Sequence, residues 1–484
     1  MTLKTYLAVI ALCLHSFGAD AKTWYMATNG NDGNDGSINA PFATLPYAQS
    51  RMAAGDTLMI RGGRYTITNY SDKQENIYAV VFHINKRNSN PDKPTCYFGY
   101  PGERPVFDLS QVKPEGCRVS GFYIHADNVY MRNFDVVGLQ VTIKTHTQSE
   151  NFSVRRGNSN IRLENIAAHD GMGIGFYLTK ASHVLVLNCD AYNNFDSVSE
   201  DGKGGNSDGF GAHCRKSDSD IVFRNCRAWC NSDDGFDLIN DFTPVTFDNC
   251  WALFNGYKTF AESTPGDGNG FKAGGYGKQV QKEAFACPRH TIQNCIAYRN
   301  KANGFYANHH LGGNNWYNNT AYLNKYDYCM VNQSSWDVAD DVDGYDHVLI
   351  NNVSLRGAKG YYSQINQSRC KLINNSFLPV QQSVSSRDFE EVKDYEQLTA
   401  PRKADGTLPD ITFLALKSTS RLYAAKMGWQ FKYTENGGRT TGINSVPNAI
   451  KAKRDNKYYD LQGRVVAHPS KGQLYIRNGK KIIK

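Results

Sequence analysis

The sequence predicts an all-β fold, a parallel β-helix in which a single strand of chain winds coil upon coil. Three observations carry that prediction. Nine short segments share one form, from "VYMRNFDVVG" to "KLINNSFLP": alternating apolar residues, an asparagine, then another short strand. Their asparagines are Asn133, Asn165, Asn188, Asn225, Asn249, Asn294, Asn318, Asn351 and Asn374, spaced 23 or 24 residues apart at their closest. A phenylalanine follows eleven residues later in three coils (Asn165 to Phe176, Asn225 to Phe236, Asn294 to Phe305) and twenty-two later in two more (Asn188 to Phe210, Asn249 to Phe271).

Period-two strands broken by Asn and Gly at a fixed repeat suit one coil per repeat, with coils stacked about 4.8 Å apart. An asparagine at the same bend of every coil tolerates left-handed backbone angles and hydrogen-bonds along the stack. Leucine-rich and propeller repeats fail because neither a leucine consensus nor a Trp-Asp signature is present. The phenylalanines are expected inside as an aromatic ladder, which turns the residue after each one outward. Cys189, Cys226, Cys250 and Cys295 each follow a ladder asparagine and read as a buried stack of thiols. No pair of close cysteine doublets suggests structural zinc.

Along the chain, residues 1–21 read as an export signal. Lys4, the apolar "YLAVIALCLHSFG" and Ala19-Asp20-Ala21 supply its three parts, which places the mature protein in the periplasm, at the cell surface or outside the cell. Residues 22–420 hold the β-helix, with 22–110 as N-terminal cap and first coils, "LTAPRKADGTLPD" closing it, and 421–484 as a short basic C-terminal extension or small module. No later stretch is apolar enough to span a membrane. The net charge of +8 resides in residues 445–484, with ten Lys or Arg against two Asp; the rest balances at 44 against 44. A nucleic-acid partner is therefore not expected.

Aligned on Gly-Phe, successive coils read I-G-F-Tyr177, Asp208-G-F-Gly211, Asp234-G-F-Asp237, Asn269-G-F-Lys272 and Asn303-G-F-Tyr306. Asp237 and Lys272 should be outward neighbours one rung apart, with Asp208 one coil below Asp234. A bend permitted by Gly235 would bring Asp208, Asp233, Asp234 and Asp237 together. Asp-Gly is also ordinary turn chemistry. Four converging carboxylates cannot all stay ionised without a cation, and an all-oxygen site favours calcium (Ca2+). The two longer coils insert "SEDGKGGNS" and "FAESTPGDG" at one corner, and loops on a rigid scaffold are where function concentrates.

These residues, in this order, resemble the family 9 polysaccharide lyases over about residues 22–420, including "TWYMATNGNDGNDGSINAPFATL" and "AAGDTLMIRGGRYT" at the start. The resemblance implies a right-handed parallel β-helix and calcium-dependent endo β-elimination at C4 of galacturonate in polygalacturonate or rhamnogalacturonan I. By matching motif it puts the metal on Asp208, Asp233, Asp234 and Asp237, and the catalytic base on Lys272. The end segment "YYDLQGRVVAHPSKGQLYIRNGKKIIK" resembles the short C-terminal modules of secreted Bacteroidetes proteins.

The implied partner is pectin, an acidic plant cell-wall polysaccharide, cut by a monomeric enzyme. Tyr306, His309 and His310, one coil beyond Lys272, are candidate substrate contacts. Two alternatives share the scaffold: a pectin hydrolase using Asp233 and Asp237 as paired carboxylates, and a non-catalytic calcium-binding glycan adhesin.

Overall fold

The computed structural model describes residues 21–275, 287–432 and four short C-terminal strands; the export signal lies almost entirely outside the described residues. The repeat winds as expected. An eleven-stranded sheet and a twenty-stranded sheet run the length of the body, and every pairing in them is parallel except that of Asp72–Gln74 with Tyr78–Ile84. The long sheet folds at the ladder asparagines. Asn133 and Asn165 sit inside continuous strands, Val129–Val137 and Asn158–His169, and bend them with φ of 63° and 50°.

All nine ladder asparagines have positive φ, from 50° to 63°. Their side chains also link coils: Asn165 donates to Asn133 at 2.9 Å, Asn249 to Asn225 at 2.9 Å and Asn374 to Asn351 at 2.8 Å. A short side chain that accepts the left-handed conformation and spans one rung satisfies both demands.

The interior is layered. Phe122, Phe152, Phe176, Phe210, Phe236, Phe271, Phe305 and Tyr328 stack with centroids 4.7–5.1 Å apart. Cys189, Cys226, Cys250 and Cys295 are buried free thiols at equivalent positions, and Asn319, Asn352 and Asn375 continue their row.

A second buried row, Asn194, Asn231, Asn255, Asn300 and Asn324, runs along the inside with amide links of 2.9–3.1 Å. It stands six residues after the outer asparagine in each coil. A glycine column packs on it. A Cβ on Gly209, Gly235, Gly270 or Gly304 would lie 2.6–3.0 Å from the amide nitrogen of Asn231, Asn255, Asn300 or Asn324. Gly235 has no positive φ, so its task is close approach rather than the backbone freedom expected of it.

At the N-terminal end the helix Leu45–Arg51 covers the core with Leu45 and Ala48, its first turn capped by Thr44. At the other end the chain turns back as a strap over the outside of the long sheet. Packing continues past residue 420: Leu422, Met427, Trp429 and Phe431 join Trp229, Trp251 and Tyr298 in a separate apolar cluster. Asp190 anchors the strap, accepting from Arg227 of the body and Arg402 of the strap. Beyond it, Tyr458–Tyr459, Val465–Val466, Leu474–Arg477 and Lys480–Ile483 form an antiparallel sheet.

Candidate active site

The residue before each column glycine forms a ladder of its own. Asp208 Oδ1 accepts the main-chain N–H of Asp234 at 3.1 Å. Asp234 Oδ1 accepts the N–H and side-chain amide of Asn269 at 2.6 and 2.9 Å. Asn269 Oδ1 accepts the same two groups of Asn303 at 3.1 and 3.2 Å. Asparagine thus performs this linking task as well as aspartate does, and in the first two coils the charge is surplus to it.

Asp237 follows Phe236 and faces outward, in register with Gly211 on one side and Lys272 on the other. One carboxylate oxygen accepts the N–H of Ile239 at 2.7 Å, and the other accepts from Lys272 Nζ at 3.1 Å. Lys272 Nζ also lies 3.0 Å from Asp234 Oδ2, an ion pair outside hydrogen-bond alignment. Ligand atoms of Asp208, Asp234 and Asp237 fall within 4.8 Å of one another.

Asp233 stands outside that trio. It is buried where the two inserted loops meet, accepting the N–H of Asp267 at 3.0 Å, with Gly205 on its other side. The loops are tied together through Ser232, which donates to Gly204 O and whose carbonyl accepts from Thr264.

Asp208, Asp233, Asp234 and Asp237 are each at most 7% exposed, and one ammonium faces them. Burial, and then the neighbouring carboxylates, push the carboxyls of Asp208 and Asp233 well above the usual range. Asp234 is raised too, by burial first, against the pull of Lys272. Burial alone would favour a neutral Lys272 amine, but the surrounding aspartates outweigh it and hold its pKa well above the ordinary lysine value. The protein alone leaves this charge unbalanced. An all-oxygen set of this kind fits a hard divalent cation, and calcium best because it accepts crowded, flexible carboxylate coordination.

Of the candidate substrate contacts, Tyr306 is in register with Lys272 on the next rung and partly exposed. His309 is on the outer surface, paired with Asp341 at 2.7 Å. His310 does not join them, which corrects the expectation that both histidines face a substrate. It is fully buried, with Nε2 against Pro288 O at 2.6 Å, because the left-handed turn at Asn308 and His309 rolls the next side chain inward.

Sequence reasoning missed a pair on the other side of the cluster, where Tyr177 bonds His213. The inner asparagine row escaped it as well, although the constant six-residue spacing was there to read.

The family model described as "Pel9A-like, right handed beta helix region" matches residues 24–352. Pectate lyase L of Dickeya chrysanthemi is 31% identical over 409 residues, covering 84% of this chain and 86% of that protein. Among solved structures, a rhamnogalacturonan lyase aligns with a TM-score of 0.80 and 43% identity over 85% of this chain and 100% of that one. Pectate lyase Pel9A aligns at 0.65 and 31%, over 83% and 90%. The chain belongs to the Pel9A-like family of right-handed β-helices and is a polysaccharide lyase.

Proposed function

We propose that this lyase cleaves the galacturonate-containing backbone of pectin by calcium-dependent β-elimination, leaving a 4,5-unsaturated sugar. The observation that carries the reading is the surplus of charge: four buried carboxylates meet one lysine, in a ladder whose later rungs use asparagine for the same hydrogen bonds. The pectate and rhamnogalacturonan lyase relatives support it.

Asp208, Asp234 and Asp237 would hold the ion, with Asp233 behind them at the loop junction. Calcium so held supplies a Lewis acid for the uronate carboxylate, which acidifies the C5 proton and stabilises the charge that develops. Lys272 then has a single task. Its Nζ, on the outward face beside the cluster, takes the C5 proton; the C5–H electrons form the C4=C5 double bond and the C4–O bond breaks. That requires a neutral amine, so the aspartates that hold Lys272 charged must have their own charge balanced first.

The test is to incubate the purified protein with de-esterified pectin backbones with and without chelator, following the ultraviolet absorbance of unsaturated product. Product that disappears with chelator and returns with calcium, less so with magnesium, supports the proposal. Full turnover in excess chelator overturns the metal assignment, and a saturated product overturns elimination in favour of hydrolysis.

A further inference from the structure

The outward column through the site reads Ser153, Tyr177, Gly211, Asp237, Lys272 and Tyr306, one residue per rung in register. Lys272 is its one cation. Arg155, two residues beyond Ser153, is occupied by an ion pair with buried Glu150. A polymer bearing a carboxylate on every sugar would meet uncharged positions on both sides of the cluster.

The rungs on the N-terminal side have a definite construction. A Cβ at position 211 would sit 3.2 Å from Tyr177 Cδ2 and 3.6 Å from Cε2, so glycine there lets the Tyr177 ring lean across the next rung toward Asp237. The Tyr177 hydroxyl reaches His213 Nδ1 at 2.5 Å, with the two rings packed edge to face. His213 is two residues past Gly211 on the same side of the strand. With the phenol donating to Nδ1, the imidazole carries its proton on Nε2. Burial, then the charges of Lys272 and Arg155, keep the ring neutral by pushing its pKa down to about 4.

We infer that Tyr177, Gly211 and His213 form a subsite for an uncharged sugar adjoining the reacting uronate, with His213 Nε2–H donating to one of its oxygens. The inference rests on the elimination reading, which places the uronate at Lys272. A neutral donor beside an aromatic ring suits hydroxyl and ether oxygens, whereas a carboxylate would call for a guanidinium or ammonium. Rungs are about 4.8 Å apart, close to the advance of one pyranose along an extended chain. The preferred substrate is therefore a backbone that alternates uronate with neutral sugar.

The calcium-loaded protein should be assayed by unsaturated-product absorbance on polygalacturonate and on the alternating rhamnose–galacturonate chain. The expected kcat/KM is at least tenfold higher on the alternating chain. His213→Ala should raise KM there by roughly three- to tenfold, the value of one hydrogen bond, with kcat, calcium affinity and melting temperature little changed. Gly211→Leu, which displaces the Tyr177 ring, should raise KM likewise. If His213→Ala fails to fold, His213→Gln and Gly211→Leu carry the test. Equal or better turnover of polygalacturonate overturns the inference while leaving elimination intact, and so does a variant that loses kcat at unchanged KM. Absence of unsaturated product from both polymers overturns elimination and this inference with it.

Discussion

Asp234 and Asn269 occupy the same bend of successive coils, and Asp234 Oδ1 accepts both the main-chain N–H and the side-chain amide of Asn269, at 2.6 and 2.9 Å. An amide oxygen at position 234 could do the same, as Asn269 does for Asn303. Asp234→Asn should therefore fold normally, with stability in chelator changed by about 1 kcal/mol or less. Calcium affinity, read by titration calorimetry, should fall at least tenfold. Unchanged affinity would place the ion elsewhere.

The strap makes a different demand. Burial alone would raise the Asp190 carboxyl, but Arg402 and Arg227 outweigh it and hold it far below the usual carboxylate range. Asp190→Ala leaves two buried guanidiniums unpaired and should cost about 3–5 kcal/mol in denaturant unfolding. Truncation after about residue 440 removes none of these contacts and should leave activity intact, since the strap's last contact with the apolar cluster is Phe431. An expressed, folded truncation without turnover would show that the tail completes the site.

Much of this was legible in the sequence because a β-helix repeats its contacts once per coil. Asn133 to Asn374 marked the bend, Phe176 to Phe305 the interior stack, and the alternation after each Phe set Asp237 beside Lys272. What stayed hidden depends on contacts between coils. Gly235 looked like a bend, and only the Asn255 amide, 2.6 Å from where its Cβ would be, gives its reason. His310 looked like a neighbour of His309, yet one residue of left-handed backbone separates surface from core. The Tyr177–His213 bond joins residues 36 apart, across an inserted loop whose path no local pattern specifies.

The buried histidines give the fold an acid limit. His347 is pushed down to about 3, by burial first and then by the charges of His310 and Arg289. Its unfolded value is about 6.5, so above that pH neither state binds the proton and the contribution is fully present. As pH falls below about 6.5 the unfolded chain binds a proton that the native state refuses, and stability is lost progressively toward pH 3. Between pH 7 and 5 this amounts to about 2 kcal/mol for one such histidine. His347→Asn, which keeps an acceptor for the Asn314 N–H, should flatten the dependence of the urea midpoint on pH by one proton. An unchanged slope would mean that His347 is not held neutral.

The central claim is that Lys272 removes the proton beside a carboxylate-held cation, and the direct measurement is the rate of unsaturated-product formation by Lys272→Ala in saturating calcium. Lys272 is a strand residue on the outer face, so the substitution opens no core cavity. Loss of a general base lowers turnover by about 10²–10⁴-fold. The expected result is a drop of that size with circular dichroism and substrate binding preserved, and nearly as large a drop in Lys272→Arg, whose guanidinium does not deprotonate. An alanine variant that retains more than about a tenth of the wild-type rate would contradict the account, because no base contributes so little.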